Sequence, residues 1–349
     1  MPFDLALDFD DVLLIPQKSF VKSRNDVSLA TQITPQIKLD FPVISINMDC
    51  VTGIDMALAM SRYGATSFFP RFKPAKDQVK DIKKVLSQNQ QTIPAIGIKP
   101  AEWDRLKLLV DLGIKTITID IAHAHQQTCL DFVKTIKKEY KHLEIIAGVI
   151  ATRQAAIDLF KAGACSVRVG LGPGTICTTR IVTGHGMPQI TAIIEVAKAT
   201  KEFGGYLLAD GGTHNSGDIV KALAAGANAV IIGSQLAGTD EAPGKIHIIK
   251  GKKYKSYNGS TSRTEKNKQL KQNSKDKNNK YTSYIEGTEA FVPYKGPVTN
   301  VLNRMNAGLR SGFSYSGALN IKQLHNNVQF IRVTNNLVKR NQDRGVKLV

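Results

Sequence analysis

Eight short apolar runs, spread along residues 43–233 with longer amphipathic segments between them, limit this chain to very few folds. They read VISIN (43–47), ATSFF (65–69), PAIGI (94–98), TITIDI (116–121), EIIAG (144–148), SVRVG (166–170), YLLAD (206–210) and AVIIG (229–233). Near-continuous apolar runs of this length fit parallel strands covered on both faces, because a strand with one wet face would alternate. DRLKLLVDLG (104–113), QQTCLDFVKTIKKEY (126–140) and RQAAIDLFKAG (153–163) carry apolar residues at helical spacing, and two of them close on a glycine. Eight such units predict an α/β fold, a (β/α)8 TIM barrel. A doubly wound open sheet is the alternative, and the absence of a clear switch point favours closure.

A barrel places its chemistry at the C-terminal ends of the strands, with phosphate sites commonly after strands seven and eight. Those ends are Asn47-Met48-Asp49, Asp120, Gly148, the loop GLGPGTIC (170–177), Asp210-Gly211-Gly212 and Gly233-Ser234. Backbone N–H groups at the two glycine-rich turns suit a phosphate, and the Asp210 carboxylate suits ribose hydroxyls. Cys177 follows three glycines in five residues, a loop whose backbone can approach a ligand closely.

The formal charge of +18 over 349 residues raises the question of nucleic acid. Much of it sits in residues 250–280, with eleven Lys or Arg against two acids. That composition reads as a solvated, mobile basic flap inserted after strand eight, spanning 250–285. Base-stacking aromatics are nearly absent from it, so a lid over a phosphate-bearing ligand is the expectation and RNA binding the alternative. Four cysteines at 50, 129, 165 and 177 show no zinc or disulfide spacing, and reduced thiols in a cytoplasm are the simplest reading. The acidic start MPFDLALDFDD lacks the order of a signal peptide, and no apolar run is long enough to span a bilayer. His123 and His125 have a metal-like spacing, but two histidines do not make a site.

FDDVLLIP (9–16), NMDCVT (47–52), IDIAHAH (119–125), GLGPGTICTTR (170–180), GMPQITAI (186–193), LADGGTHNSGDIVKALAAGANAVIIGS (208–234), AGTDEAPG (237–244), EGTEAFVPYKGPV (286–298) and GLRSGFSYSG (308–317) together resemble the IMP dehydrogenase / GMP reductase family over almost the whole chain. The resemblance implies a covalent bond from Cys177 to C2 of a purine nucleoside monophosphate, with Thr179 and Glu286 assisting proton transfer. It implies that Asp210 holds the ribose hydroxyls, and that Thr175, Gly211, Gly212, Gly233, Ser234, Tyr257, Gly259 and Met48 contact the nucleotide. Asp120 would face a nicotinamide cofactor, NADPH or NAD. Carbonyls of Gly172, Gly174 and Cys177 would supply part of a potassium site, and the barrels would assemble as a homotetramer. Adding a thiolate to an electron-poor carbon splits one hard displacement into two easier steps. Cys50, Cys129 and Cys165, each within or beside an apolar run, read as structural.

Reduction of GMP and oxidation of IMP share this covalent chemistry, and four features bear on direction. No CBS pair interrupts the barrel, since only QVKDIKKVLSQNQQTI (78–93) precedes strand three, and reductases usually lack that insertion. The Arg-Tyr pair with which dehydrogenases activate water has no match here: SKD (274–276) is followed by Lys277-Asn278, and Tyr284 stands without an arginine. A lysine lacks the planar fork that orients water. VKSRNDVSL (21–29) and Asn47 resemble reductases, whereas AGTDEAPG and VPYKGPV resemble dehydrogenases. The expectation is a GMP reductase in one domain, residues 1–349, with an IMP dehydrogenase as the alternative. Val149 replaces the family's asparagine near purine C2, Ser260 its usual methionine and Thr175 the phosphate-loop serine. Val149 also leaves open a nucleotide-binding protein without activity.

Overall fold

The structure, a computed structural model, describes residues 4–272 and 285–334. All eight apolar runs form strands: β1 (Val43–Ser45), β2 (Thr66–Phe69), β3 (Ile93–Ile96), β4 (Thr116–Asp120), β5 (Glu144–Ile150), β6 (Ser166–Val169), β7 (Tyr206–Asp210) and β8 (Ala229–Ile232). They pair in parallel around a closed barrel, and β8 returns to β1 with Val230 opposite Val43 and Ile231 opposite Ile44. The helices between them are α1 (Ile54–Arg62), α2 (Ala75–Leu86), α3 (Glu102–Asp111), α4 (Gln127–Glu139), α5 (Arg153–Ala162), α6 (Gln189–Phe203) and α7 (Ser216–Ala224). Gly163 closes α5 in the left-handed conformation at φ 111°, as its place in the sequence predicts.

The strands are apolar throughout because each successive side chain meets a different core. Ile44, Phe68, Ile146, Leu208 and Ile231 fill the barrel, while Val43, Phe69, Ile145, Leu207 and Val230 pack outward against the helices. A short hairpin, Thr31–Gln32 with Lys38–Leu39, plugs the N-terminal mouth by adding Ile33 and Leu39 to the inner cluster. Only α2 lies between β2 and β3. No helix among the described residues is long and apolar enough to cross a membrane.

The basic insertion between β8 and the last large helix differs from its composition. Strands β9 (Ile246–Ile249), β10 (Lys252–Asn258) and β11 (Glu289–Pro293) make an antiparallel sheet, with helix α8 (Arg263–Gln272) between β10 and β11 and helix α9 (Val298–Tyr315) after it. Lys255 and Tyr257 on β10 are buried, so this part of the insertion is not a solvated excursion. The Lys255 ammonium donates to the carbonyls of Thr239 (2.7 Å) and Ala242, which lets a charge sit where composition predicts water. SKD (274–276), Lys277 and Tyr284 lie outside the described residues.

Candidate active site

Strand periodicity also fixes what tops the barrel. On β6 the outward positions are Val167 and Val169, so Arg168 points in; on β4 and β7 the inward register ends at Asp120 and Asp210. The upper end of the apolar interior is therefore an ionic layer. Arg168, 2% exposed, donates through Nη2 and Nε to Asp210 Oδ2 at 2.7 and 3.0 Å, and through Nη1 to Asp120 Oδ1 at 3.2 Å. Arg71, from the loop after β2, reaches the other Asp120 oxygen at 3.3 Å. Gly148 on β5 makes room, since a Cβ there would stand 2.4 Å from the Arg168 Cβ.

Burial works against each of these charges, and their neighbours decide the outcome. For Asp120, the cations Arg168 and Arg71 outweigh burial and hold the carboxyl below its ordinary range. For Arg168, Asp210 and Asp120 outweigh burial and hold the guanidinium charged. For Asp210, burial raises the carboxyl above its ordinary range, with Arg168 opposing.

Beside this layer runs the cysteine loop. A Cβ at Gly170, whose φ is 152°, would fall 1.9 Å from the Asp210 carbonyl oxygen, so only glycine lets the loop cross β7 there. Gln189, buried in the first turn of α6, ties the two strand ends by donating to the carbonyls of Val169 (2.8 Å) and Asp210 (3.3 Å). The Cys177 N–H bonds the Gly174 carbonyl at 3.0 Å. Thr178 N–H to the Glu286 carbonyl and Thr288 N–H to the Ile176 carbonyl, both 3.0 Å, clip the loop to the segment leading into β11. That clip brings together groups 107 residues apart: Cys177 Sγ donates to Thr179 Oγ1 at 3.1 Å, and Thr179 Oγ1 donates to Glu286 Oε2 at 2.8 Å.

A cavity of about 210 Å³ opens above both features. Met48, Asp120, Gly172, Gly174, Thr175, Cys177, Asp210, Gly211, Gly212, Gly233, Ser234, Tyr257, Gly259 and Glu286 all line it; Thr179 stands behind Cys177. The hydroxyls of Thr175 and Ser234 approach to 3.5 Å. Burial pushes the Tyr257 phenol up, so it stays a hydrogen-bond donor. Val149 and Ser260 line the cavity too, the first as an apolar patch in a polar wall. Arg168 also lines it and escaped the sequence reading, although a lone cation inside an apolar parallel strand requires a buried partner.

The other thiols do not join the site chemistry. Burial lifts Cys50 and Cys129 to about 11 and Cys165 to about 12, far above the range in which a thiolate forms. Cys50 Sγ lies 3.4 Å from both the N–H and the carbonyl of Asn258. His125 Nε2 meets Asp158 at 2.9 Å, and no metal-ligating cluster of His, Cys, Asp or Glu occurs among the described residues.

The IMP dehydrogenase / GMP reductase domain family matches residues 6–342. An inosine-5′-monophosphate dehydrogenase of Borreliella burgdorferi is 36% identical over 393 aligned positions that cover 98% of this chain and 97% of that protein. The enzyme of the same name from Methanocaldococcus jannaschii is 44% identical over 250 positions, covering 69% of this chain and 50% of its own. A GMP reductase variant from Trypanosoma brucei, solved with guanosine 5′-monophosphate, superimposes with a TM-score of 0.92 at 27% identity, covering 99% of both chains.

Proposed function

The chain belongs to the IMP dehydrogenase / GMP reductase family, and we propose that within it this protein reduces GMP to IMP and ammonia. One observation carries the direction: between Arg263 and Glu286, the stretch in which a dehydrogenase keeps its water-activating arginine, this sequence has no arginine. A reductase has no water to activate. Lysines are plentiful there, but none offers the planar fork.

The residues divide the work as follows. Glycines 211, 212 and 233, with Thr175, Ser234 and Tyr257, hold the monophosphate, and Asp210 accepts from the ribose hydroxyls. The Cys177 thiol gives its proton through Thr179 to Glu286 as sulfur bonds to purine C2. The same pair returns a proton as the C2–N bond breaks and ammonia leaves. A bound NADPH supplies the hydride that C2 takes up. The C–S bond then breaks, releasing IMP and the thiolate.

A nicotinamide fits the Asp120 end of the cavity. Asp120 and Arg168 line that end and supply acceptors and donors for a carboxamide and a ribose, and the buried Asn47 side chain hydrogen-bonds Asp120. The carbonyls of Gly172, Gly174 and Cys177 are hard oxygen donors suited to potassium. Arg180 steadies that loop from outside, donating to the carbonyls of Leu171 (3.4 Å) and Met187 (2.8 Å). Assembly as a cytoplasmic homotetramer belongs to the same proposal.

Dehydrogenation of IMP is the second reading. It is favoured by the relatives named IMP dehydrogenase, and the full-length Borreliella alignment leaves no room for a large inserted domain in that relative either. Paired assays decide between the two. Purified protein with potassium receives GMP and NADPH in one cuvette, IMP and NAD in the other. NADPH loss with ammonia release in the first cuvette alone is the expected result. NADH gain in the second alone would overturn the direction, and bound nucleotide with silence in both would make Val149 the mark of a non-catalytic protein. Replacing potassium with sodium is expected to slow turnover.

A further inference from the structure

Arg168 is one cation shared by two buried carboxylates that face different parts of the cavity. Its hold on them is unequal: two contacts, at 2.7 and 3.0 Å, go to Asp210, and one, at 3.2 Å, to Asp120. All three groups are at least four-fifths buried, so little water screens the competition. The Phe68 ring packs under the guanidinium, its centroid 5.1 Å from Cζ. Gly148 leaves room for the Arg168 side chain, since a Cβ there would fall 2.4 Å from the Arg168 Cβ.

We infer that Arg168 is a positioning residue that couples occupation of the ribose site at Asp210 to the charge presented by Asp120, so that bound nucleotide selects the reduced cofactor. The inference rests on the reading above in which Asp210 takes the ribose hydroxyls and Asp120 faces the nicotinamide. Hydroxyls that donate to Asp210 share its negative charge and loosen its claim on Arg168. The guanidinium then compensates Asp120 more completely. Asp120 keeps its contact with Arg71 at 3.3 Å throughout, so what changes is how fully its charge is compensated: a neutral reduced ring gains from fuller compensation, and the cationic oxidised ring loses part of its attraction to the carboxylate. The two ligands need not touch for this to operate, because the two-sided ion pair supplies the link.

The test uses a Cys177→Ala background to stop turnover, with fluorescence titration of NADPH and calorimetric titration of NADP+. Each is measured at saturating GMP, saturating 2′-deoxy-GMP and saturating 3′-deoxy-GMP. The ratio of NADP+ to NADPH dissociation constants should be about tenfold larger with GMP than with either deoxy-nucleotide. Arg168→Lys keeps one positive charge but cannot span both carboxylates; it should bring the three ratios within about twofold. Because the deoxy-nucleotide arm needs no change at Arg168, it stands even where that variant does not fold. Equal ratios for GMP and the deoxy-nucleotides would overturn the inference, as would a GMP effect that survives in a folded Arg168→Lys protein. Failure of any nucleotide or cofactor to bind would overturn the functional reading and this inference with it. Normal GMP reduction by the unmodified enzyme, with equal ratios, would overturn the inference alone.

Discussion

Replacing Thr179 with valine removes a hydroxyl and keeps the shape of the side chain, which isolates the proton path from the packing. In the structure that hydroxyl is the middle of a three-member chain, 3.1 Å from Cys177 Sγ and 2.8 Å from Glu286 Oε2. Both neighbours are held by backbone bonds of 3.0 Å that the substitution leaves intact, so the loop should keep its place. A positioned acid–base group contributes about 10²–10⁴ in rate. With the bridge between thiol and carboxylate gone, kcat should fall about 10³-fold, about 4 kcal/mol of barrier. The KM for GMP should stay within about threefold, since Thr179 stands behind Cys177 and outside the cavity lining. Glu286→Gln should cost a similar amount, and the double variant little more than either single one, because the groups act as one relay. Steady-state loss of NADPH absorbance measures all three. A Thr179→Val enzyme within threefold of the parent kcat, or a double variant whose losses multiply, would refute the relay.

Other consequences follow from the same geometry. Gly170→Ala forces a Cβ to 1.9 Å from the Asp210 carbonyl, so urea unfolding should show a loss of about 3 kcal/mol or more. Full stability in that variant would mean the loop does not cross β7 as described. Iodoacetamide at neutral pH should label Cys177 alone among the four cysteines, with GMP protecting it; comparable labelling of Cys50, Cys129 or Cys165 would contradict the suppressed ionisation that burial gives them. Burial lowers the value of His325 below the ordinary 6.5, outweighing its hydrogen bonds to the backbone of Leu223 and Ala227. A histidine depressed in the folded state binds more protons when unfolded, so its contribution is intact above 6.5 and is lost as pH falls below it. Melting temperature should therefore drop between about pH 7.5 and about pH 5.5, and less so in His325→Gln; equal drops would remove His325 as a cause.

The barrel was legible because parallel strands between two apolar layers leave an unmistakable run, and all eight runs became strands. The cavity residues were legible because glycines and carboxylates gather where those runs end, as at Asp120, Gly170, Asp210 and Gly233. What escaped was of two kinds. Arg168 looks like an exception inside SVRVG until the inward register of β6 is set against those of β4 and β7, and only then does it stand between two carboxylates. The sheet β9–β11 was hidden by its lysines. Lys255 is buried only because Thr239 and Ala242 offer carbonyls from a loop that composition alone does not place beside it. The plug at the N-terminal mouth escaped because Thr31–Gln32 and Lys38–Leu39 are too short to show a period.

The central claim is a covalent bond between Cys177 and the purine, and it can be observed directly. Enzyme quenched in acid during turnover of GMP, then digested and examined by mass spectrometry, should carry a purine nucleotide on the peptide that contains Cys177 and on no other. Turnover with that peptide unmodified at every quench time, or with the nucleotide on another cysteine, would contradict it.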